Sequence, residues 1–303
     1  MIRHNIMKII DCFMFFDEEM LLDLRLNILD KFVDKFVIVE SSYTHSGKEK
    51  KLIFDINKYS KFKEKINYII LKEPPIGIEE VSINDNEGEV SRKEILNALK
   101  RENLQRDTIL KGLNDADNND WIIISDLDEI PDLTNINFNS IKNKIIFFKQ
   151  KVFYYKLNLE LKNLRWIGTK ACRKKHLNSP QWLRNIKDKI YPKWRIDILF
   201  SQKKYNDIFF VENGGWHFSF VKKPEDIEKK LKSYLHHREY DIDPVSIDKI
   251  KNLINSKSVI YDHRVDQTQY KFGGGQKLEK IDLEFLPNFI SSNKKKYLDW
   301  LEE

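Results

Sequence analysis

Residues 121–131 read Trp-Ile-Ile-Ile-Ser-Asp-Leu-Asp-Glu-Ile-Pro, a continuous apolar run that breaks into three carboxylates within four positions. An apolar run without alternation describes a strand covered on both faces, as in a parallel sheet with helices on each side. Trp121–Ser125 is therefore expected on a central strand. In such sheets ligands gather where the carboxyl ends of the strands release their loops, and that edge is where Asp126 and Asp128 fall. Residues two apart on an extended chain point the same way about 7 Å apart, so both carboxylates can face one ion while Leu127 turns to the core. Glu129 lies opposite, or on the turn that Pro131 enforces.

The rest of the chain supplies the sheet this strand needs. Met7–Asp11 is a short apolar strand, Leu21, Leu24, Ile28 and Phe32 recur at helical spacing within 17–32, and Phe36–Glu40 is again strand-like, which makes a βαβ unit. A polar loop with a glycine covers 41–51, and a third strand at Ile66–Leu71 is closed by Pro74-Pro75. The long polar segment 72–90 reads as a functional flap. Ser91-Arg-Lys-Glu94 has the form of a capping box, and Ile95, Leu99, Leu104, Ile109 and Leu113 trace the apolar stripe of a helix reaching about Ala116. Beyond Pro131, aromatic stretches at 145–155, 164–172 and 209–220 extend the sheet in antiparallel or mixed fashion. Two amphipathic helices at 224–236 and 244–255 follow, then a flexible turn at Gly273–Gly275.

At 303 residues the chain accommodates one large α/β domain, or a domain with a helical appendage. Its two cysteines, Cys12 and Cys172, offer no disulfide framework and suit a reducing compartment. The apolar start is interrupted by Lys8 and Asp11 without a cleavage pattern, so no signal peptide is expected, and no segment approaches the roughly 18 apolar residues of a membrane helix. A cytoplasmic location follows, with peripheral contact at the inner membrane surface left open, and the Lys, Ile and Asn bias fits an AT-rich microbial or viral genome. The net charge of +6 comes mostly from Lys runs rather than a basic face with exposed aromatics, which argues against nucleic acid and suits an anionic small substrate such as a nucleotide sugar.

Two chemistries place Asp-x-Asp after a buried strand. A haloacid-dehalogenase-type phosphatase would use Asp126 as nucleophile, but that motif normally follows the first strand. A glycosyltransferase with a nucleotide-binding α/β domain places it roughly a hundred residues in, and there a hard cation, Mn²⁺ or Mg²⁺, relieves the repulsion between the carboxylates and joins them to a diphosphate. His217, in Gly214-Gly-Trp-His-Phe-Ser219, offers a further metal or phosphate contact or a hydrogen-bonded core histidine. The two glycines let backbone approach a ligand closely. Trp216 either stacks on a sugar or fills core. A non-catalytic glycan-binding protein is the third class considered.

The ordered series DCFMFFDE (11–18), LRLN (24–27), FVIVES (36–41), SGK (46–48), RENLQR (101–106), IISDLDEIP (123–131) and GGWHFS (214–219) resembles glycosyltransferase family 17, with the likeness running from about Met7 to about Arg264. The resemblance implies a GT-A-type α/β fold with a central mixed, mainly parallel sheet flanked by helices. It would occupy residues 1–265, with a donor-binding part at about 7–131, an acceptor side at about 132–265 and a C-terminal helical extension at 266–303. It implies inverting transfer of a sugar, N-acetylglucosamine from UDP-N-acetylglucosamine in known members, to a glycan or glycolipid hydroxyl. On that reading Asp126, Asp128 and His217 hold the metal, and Asp11, Glu40, Ser41, Lys48, Arg106 and Asp126 face the donor. Trp216 and His237 line the acceptor side, and Glu239, in a His-x-Glu element, is the candidate general base. Structural salt bridges remain open for Glu40 and Arg106, a surface role for Lys48, and a helix-anchoring role for His237 and Glu239.

Overall fold

The uninterrupted apolar segments pair in parallel at the centre of the protein. A computed structural model describes residues 7–192, 194–198, 200–234, 237–260 and 276–303. Strand β1 (Ile9–Phe15) leads through helix α1 (Glu19–Leu29) to β2 (Lys35–Ser41), and β3 (Ile66–Leu71) pairs with β2. Helix α2 (Glu87–Asp107) then returns the chain to β4 (Trp121–Asp126), which lies parallel to β1 on its free side. Trp121, Ile122, Ile123 and Ile124 have no exposed surface. Trp121 and Ile123 pack with Leu21 and Leu24 on one face, and Ile122 and Ile124 with Ile109, Leu113 and Leu183 on the other. Burial from both sides, worth about 1.5–3 kcal/mol for each large side chain, is why the run shows no alternation.

Helix α2 departs from its expected form at both ends. It begins at Glu87, where Asn86 accepts from the Glu89 amide at 3.0 Å and the Glu89 carboxylate returns the bond to Asn86 at 2.9 Å, so the capping box is Asn86–Glu89 rather than Ser91–Glu94. It stops at Asp107 and tightens into a 3-10 segment, Thr108–Leu113. Its inward stripe carries Asn97, Ala98, Gln105 and Arg106, while Ile95 and Leu99 are partly exposed. Apolar periodicity therefore found the buried face at Ile109 and Leu113, in the 3-10 segment, and missed it along the first turns of the helix. The expected flap is strapped down along this helix: Asn97 bonds both the amide and the carbonyl of Glu79, and Lys93 pairs with Asp85.

Each of the aromatic stretches beyond Pro131 is two strands, not one. β5 (Glu129–Pro131), β6 (Ile145–Phe148), β7 (Gln150–Tyr154), β8 (Leu159–Trp166), β9 (Lys170–Arg173), β10 (Ile208–Val211) and β11 (Gly215–Ser219) are divided between two sheets. The first runs β10-β6-β9-β4-β1-β2-β3; the second runs β12-β8-β7-β11-β5, with β12 at Glu279–Lys280. The chain thus crosses from one sheet to the other five times, once through the long link between β5 and β6 and four times through short turns, at β4/β5, β6/β7, β8/β9 and β10/β11. The short crossings form a seam, and the carboxylate turn is one of them.

Crossings that crowd backbone on backbone require small residues. A Cβ on Gly214 would lie 2.7 Å from the backbone of Phe148 and Lys149, and one on Gly215, whose φ is +123°, would lie 2.2 Å from the Ile130 carbonyl. The close approach expected of these glycines is made to the protein's own strands rather than to a ligand.

Short helices complete the fold: α3 (Pro180–Asn185), α4 (Pro224–Leu231), α5 (His237–Ile242), α6 (Ile247–Asn255) and α7 (Asn288–Ser292). The C-terminal stretch shares the main core through Leu286, Ile290, Tyr297 and Leu301. The expected boundary at 265/266, the Gly273–Gly275 turn and His236 lie outside the described residues. Both cysteines are buried and free. No helix among the described residues is long and apolar enough to cross a membrane.

Gly215→Ala should destabilise the protein by about 2–4 kcal/mol, because the added methyl meets backbone on a left-handed residue. Urea unfolding checks this, and a change below about 0.5 kcal/mol would contradict the crowding.

Candidate active site

The carboxylate turn is built around a buried arginine. Arg25 on α1 has no exposed surface and directs every donor inward. Its Nε and Nη2 take both oxygens of Asp11, at 2.8 and 2.6 Å, and Nη2 also reaches Ser125 Oγ at 2.6 Å. Its Nη1 binds the carbonyls of Asp126, Leu127 and Glu129 at 2.9, 3.2 and 3.1 Å. A planar fork with five N–H donors suits three converging carbonyls and a carboxylate, which a lysine could not satisfy. The turn 126–129 is thereby wrapped about one guanidinium, with Asp11 as its counter-ion.

Glu129 forms the floor. Its carboxylate is 1% exposed and accepts from Trp166 Nε1 at 2.6 Å, the Asp126 amide at 2.9 Å and Arg184 Nη1 at 2.7 Å. It fits only because residue 168 is glycine: a Cβ there would lie 1.8 Å from Glu129 Oε1.

Above this floor, acids and bases alternate in two chains. In one, Arg106 from the last turn of α2 bridges Glu102 and Asp126 at 2.7 and 3.0 Å, and Arg184 from α3 bridges Asp126 and Glu129 at 2.9 and 2.7 Å. In the other, Lys230 from α4 reaches Asp128 at 3.1 Å and Glu18 at 3.5 Å, and Lys222 joins Glu18 to Asp17, which also meets Lys229 at 3.1 Å. Burial pushes the Asp126 carboxyl up, but the Arg184 and Arg106 charges more than offset it and hold the group well below the usual carboxylate range. Burial opposes and the charges of Lys222 and Lys230 prevail at Glu18, which drops to about 2. Burial would lower Lys230, yet the Asp128 and Glu18 charges hold it above the usual lysine value.

His217 on β11 completes the group. Its ring lies against Trp166, tilted by 31° with 5.1 Å between centroids, and its Nε2 lies 3.9 Å from Asp128 Oδ1, too far for a hydrogen bond. Its Nδ1 is buried without a hydrogen-bond partner among the described residues. The adjacent amide of Phe218 donates to the Asp128 carbonyl at 2.8 Å, so β11 and the turn move as one piece.

Asp126, Asp128, His217 and Arg106 are therefore brought together as expected of one site. Other expected site residues have internal partners. Asp11 is closed off by Arg25. Glu40 is fully buried, taking Lys50, the Tyr68 hydroxyl at 2.7 Å and the amides of Ile53 and Phe54. Ser41 is buried and accepts from the Tyr43 amide, whereas Lys48 is exposed. Trp216 packs against the core and donates to the Phe285 carbonyl at 3.3 Å. His237 and Glu239 lie on α5, and Arg238 between them donates to Ser91 Oγ at 3.0 Å. His237 lies beside α2 with its ring next to Glu94 and Asp241, and Arg238 also pairs with Glu94 at 3.4 Å.

Whether a divalent cation suits the site is decided by the lone pairs left over. Among the described residues Asp128 Oδ1 has no hydrogen-bond donor, and it faces His217 Nε2 at a separation two ligands of one ion can share. Asp126 has each oxygen on an arginine but retains a second lone pair on each, and its side chain is 37% exposed. The residues fit, with Asp128 and His217 as the open ligands and Asp126 contributing through its remaining lone pairs.

A mixed α/β sheet that carries two aspartates at the carboxyl end of its central strand, with a histidine brought beside them, is compatible with a glycosyltransferase fold. The sequence profile described as glycosyltransferase family 17 matches residues 1–298, and the chain belongs to that family. The sequence has no match among curated proteins.

Arg25→Met should cost about 3–5 kcal/mol, because Asp11 is left charged and buried, and Asp11→Leu in the same chain should recover part of the loss; chemical denaturation of the two variants measures both. Because Glu18 is depressed from 4.5 to about 2 and Asp126 is also lowered, the unfolded state binds more protons between those values. Their stabilisation is complete above pH 4.5 and is lost as pH falls through about 2. Urea midpoints across that range should fall with pH, and a flat profile would refute the paired charges.

Proposed function

We propose that this enzyme is a metal-dependent inverting glycosyltransferase that moves N-acetylglucosamine from UDP-N-acetylglucosamine to a hydroxyl of a glycan or glycolipid. The observation that carries the metal requirement is the charge balance of the site. The two chains hold six carboxylates, Asp17, Glu18, Glu102, Asp126, Asp128 and Glu129, against five cations, Arg106, Arg184, Lys222, Lys229 and Lys230. A site with one net negative charge repels a nucleotide diphosphate carrying two more. Asp128 and His217 would hold a divalent cation, which would offset that repulsion and supply Lewis acidity toward the leaving diphosphate.

The protein's own groups then have separable tasks. Arg106 and Arg184 sit beside Asp126 with planar forks that match phosphate geometry, so they are placed to share donor oxygens without leaving their carboxylates. Lys230 neutralises Asp128 in the free protein and can turn to the incoming diphosphate when a cation takes its place. Glu129, buried and fully hydrogen-bonded, orients Arg184 and the Asp126 amide. Asp126 is poorly suited to the role of phosphoryl nucleophile, since both its oxygens are held by guanidinium groups.

The test is transfer from UDP-N-acetylglucosamine with Mn²⁺ present and after chelation, using native protein and Asp128→Asn. The substitution should lower kcat/KM at least about a hundredfold, the scale of one lost electrostatic contact in the transition state, with the thermal midpoint nearly unchanged. Undiminished turnover in the variant, or in chelator, would remove the cation from the reaction.

A further inference from the structure

Ten residues beyond Arg184 the surface inverts its usual chemistry. The chain leaves α3 at Lys187 and returns at Lys203, where the Lys187 amide donates to the Lys203 carbonyl at 2.8 Å. Trp182 Nε1 secures the same base through the Gln202 carbonyl at 3.0 Å, and its ring meets Tyr205 edge-on at 5.7 Å. Within the loop the polar groups are the ones engaged. Asp197 pairs with Arg195 and Lys204 at 2.7 and 2.6 Å, and both cations lie over the ring of Tyr191, which is 5% exposed. The large apolar side chains point out instead: Ile190 is 76% exposed, Trp194 79%, Ile196 70% and Phe200 85%.

Scattered apolar residues are normal on a surface, but four within eleven positions, on a loop whose base is fastened, need an occupant. The charge around them identifies it. Between 187 and 204 stand Lys187, Lys189, Lys193, Arg195, Lys203 and Lys204 against Asp188 and Asp197 only. Tryptophan and phenylalanine among lysines and arginines is the composition that lies in the headgroup region of a bilayer, where rings enter the acyl boundary and ammonium groups meet anionic lipid. Each basic residue near such a surface raises the partition coefficient roughly fivefold.

We propose that the loop 187–204 is a membrane-docking element that seats the enzyme on an anionic lipid surface. Its base adjoins the helix whose Arg184 holds Asp126 at 2.9 Å, so docking would hold the site near the bilayer. On the reading of the preceding section, this selects an acceptor carried on lipid. Docking itself needs no nucleotide, so it stands or falls apart from the transfer reaction.

Co-sedimentation of the full chain with vesicles of phosphatidylcholine alone, or of phosphatidylcholine with about a third phosphatidylglycerol, tests it. The protein should pellet with the anionic vesicles and be released by salt. Trp194→Ser with Phe200→Ser should weaken partition at least about tenfold, and Lys187→Gln with Lys189→Gln by a similar factor, with thermal midpoints unchanged because every altered side chain is on the surface. Absence of binding to anionic vesicles, or equal binding by native chain and both variants, would overturn the proposal. So would light scattering that finds a native dimer made monomeric by the apolar pair, since the loop would then join two copies of the chain.

Discussion

A single guanidinium, sealed from water, gives the acidic turn its shape. Arg25 satisfies three carbonyls of residues 126–129 and is neutralised by Asp11 on the neighbouring strand. Without it, the carbonyls that converge at the end of β4 would be buried together with nothing to bind, at a cost of about 1–3 kcal/mol each. The carboxylates that point outward depend on the carbonyls that point inward, so the electrostatics of the rim rest on a charge that never touches it.

The seam explains why so many distant residues reach that turn. Each short crossing between sheets interrupts a ladder and frees a short stretch of backbone, and the four short crossings lie together. Glu129 fills the space left by Gly168, and β11 enters beside β5 through Gly214 and Gly215. His217 thus arrives opposite Glu129 in the strand register, next to Asp128. Arg184 and Lys230 come from helices 58 and 102 residues away in sequence from the aspartates they hold.

Much of this was legible in the residues, for physical reasons that also mark where legibility ends. Doubly buried strands have an unmistakable composition, so β1, β2, β3 and β4 and the aspartates at their rim could be located, and the ordered motifs named the family. The second sheet could not be seen, because 145–155 and 209–220 keep a strand-like pattern straight through each crossing. Arg25 was hard to place for a different reason: an arginine on a helix ordinarily faces water, and only tertiary partners show that this one does not, whereas Arg106 meets Asp126 as its fork allowed. Asp11 and Glu40 sit at the positions expected, but a carboxylate that ends a buried strand serves an internal cation as readily as a ligand. Nothing in the sequence near Arg184 or Lys230 marks either as a partner of the turn.

The five crossings also bear on how the chain can be divided. Strands β6, β9 and β10, which lie beyond residue 131, complete the sheet begun by β1 to β4, while β5, which precedes that point, belongs to the second sheet. The halves that the sequence assigns to donor and acceptor are woven through one another. A shortened chain ending near Pro131 would expose the β4 edge and leave β5 without β11 to pair with. The segments before and after residue 131 are therefore parts of one folding unit, and neither would fold as a separate module.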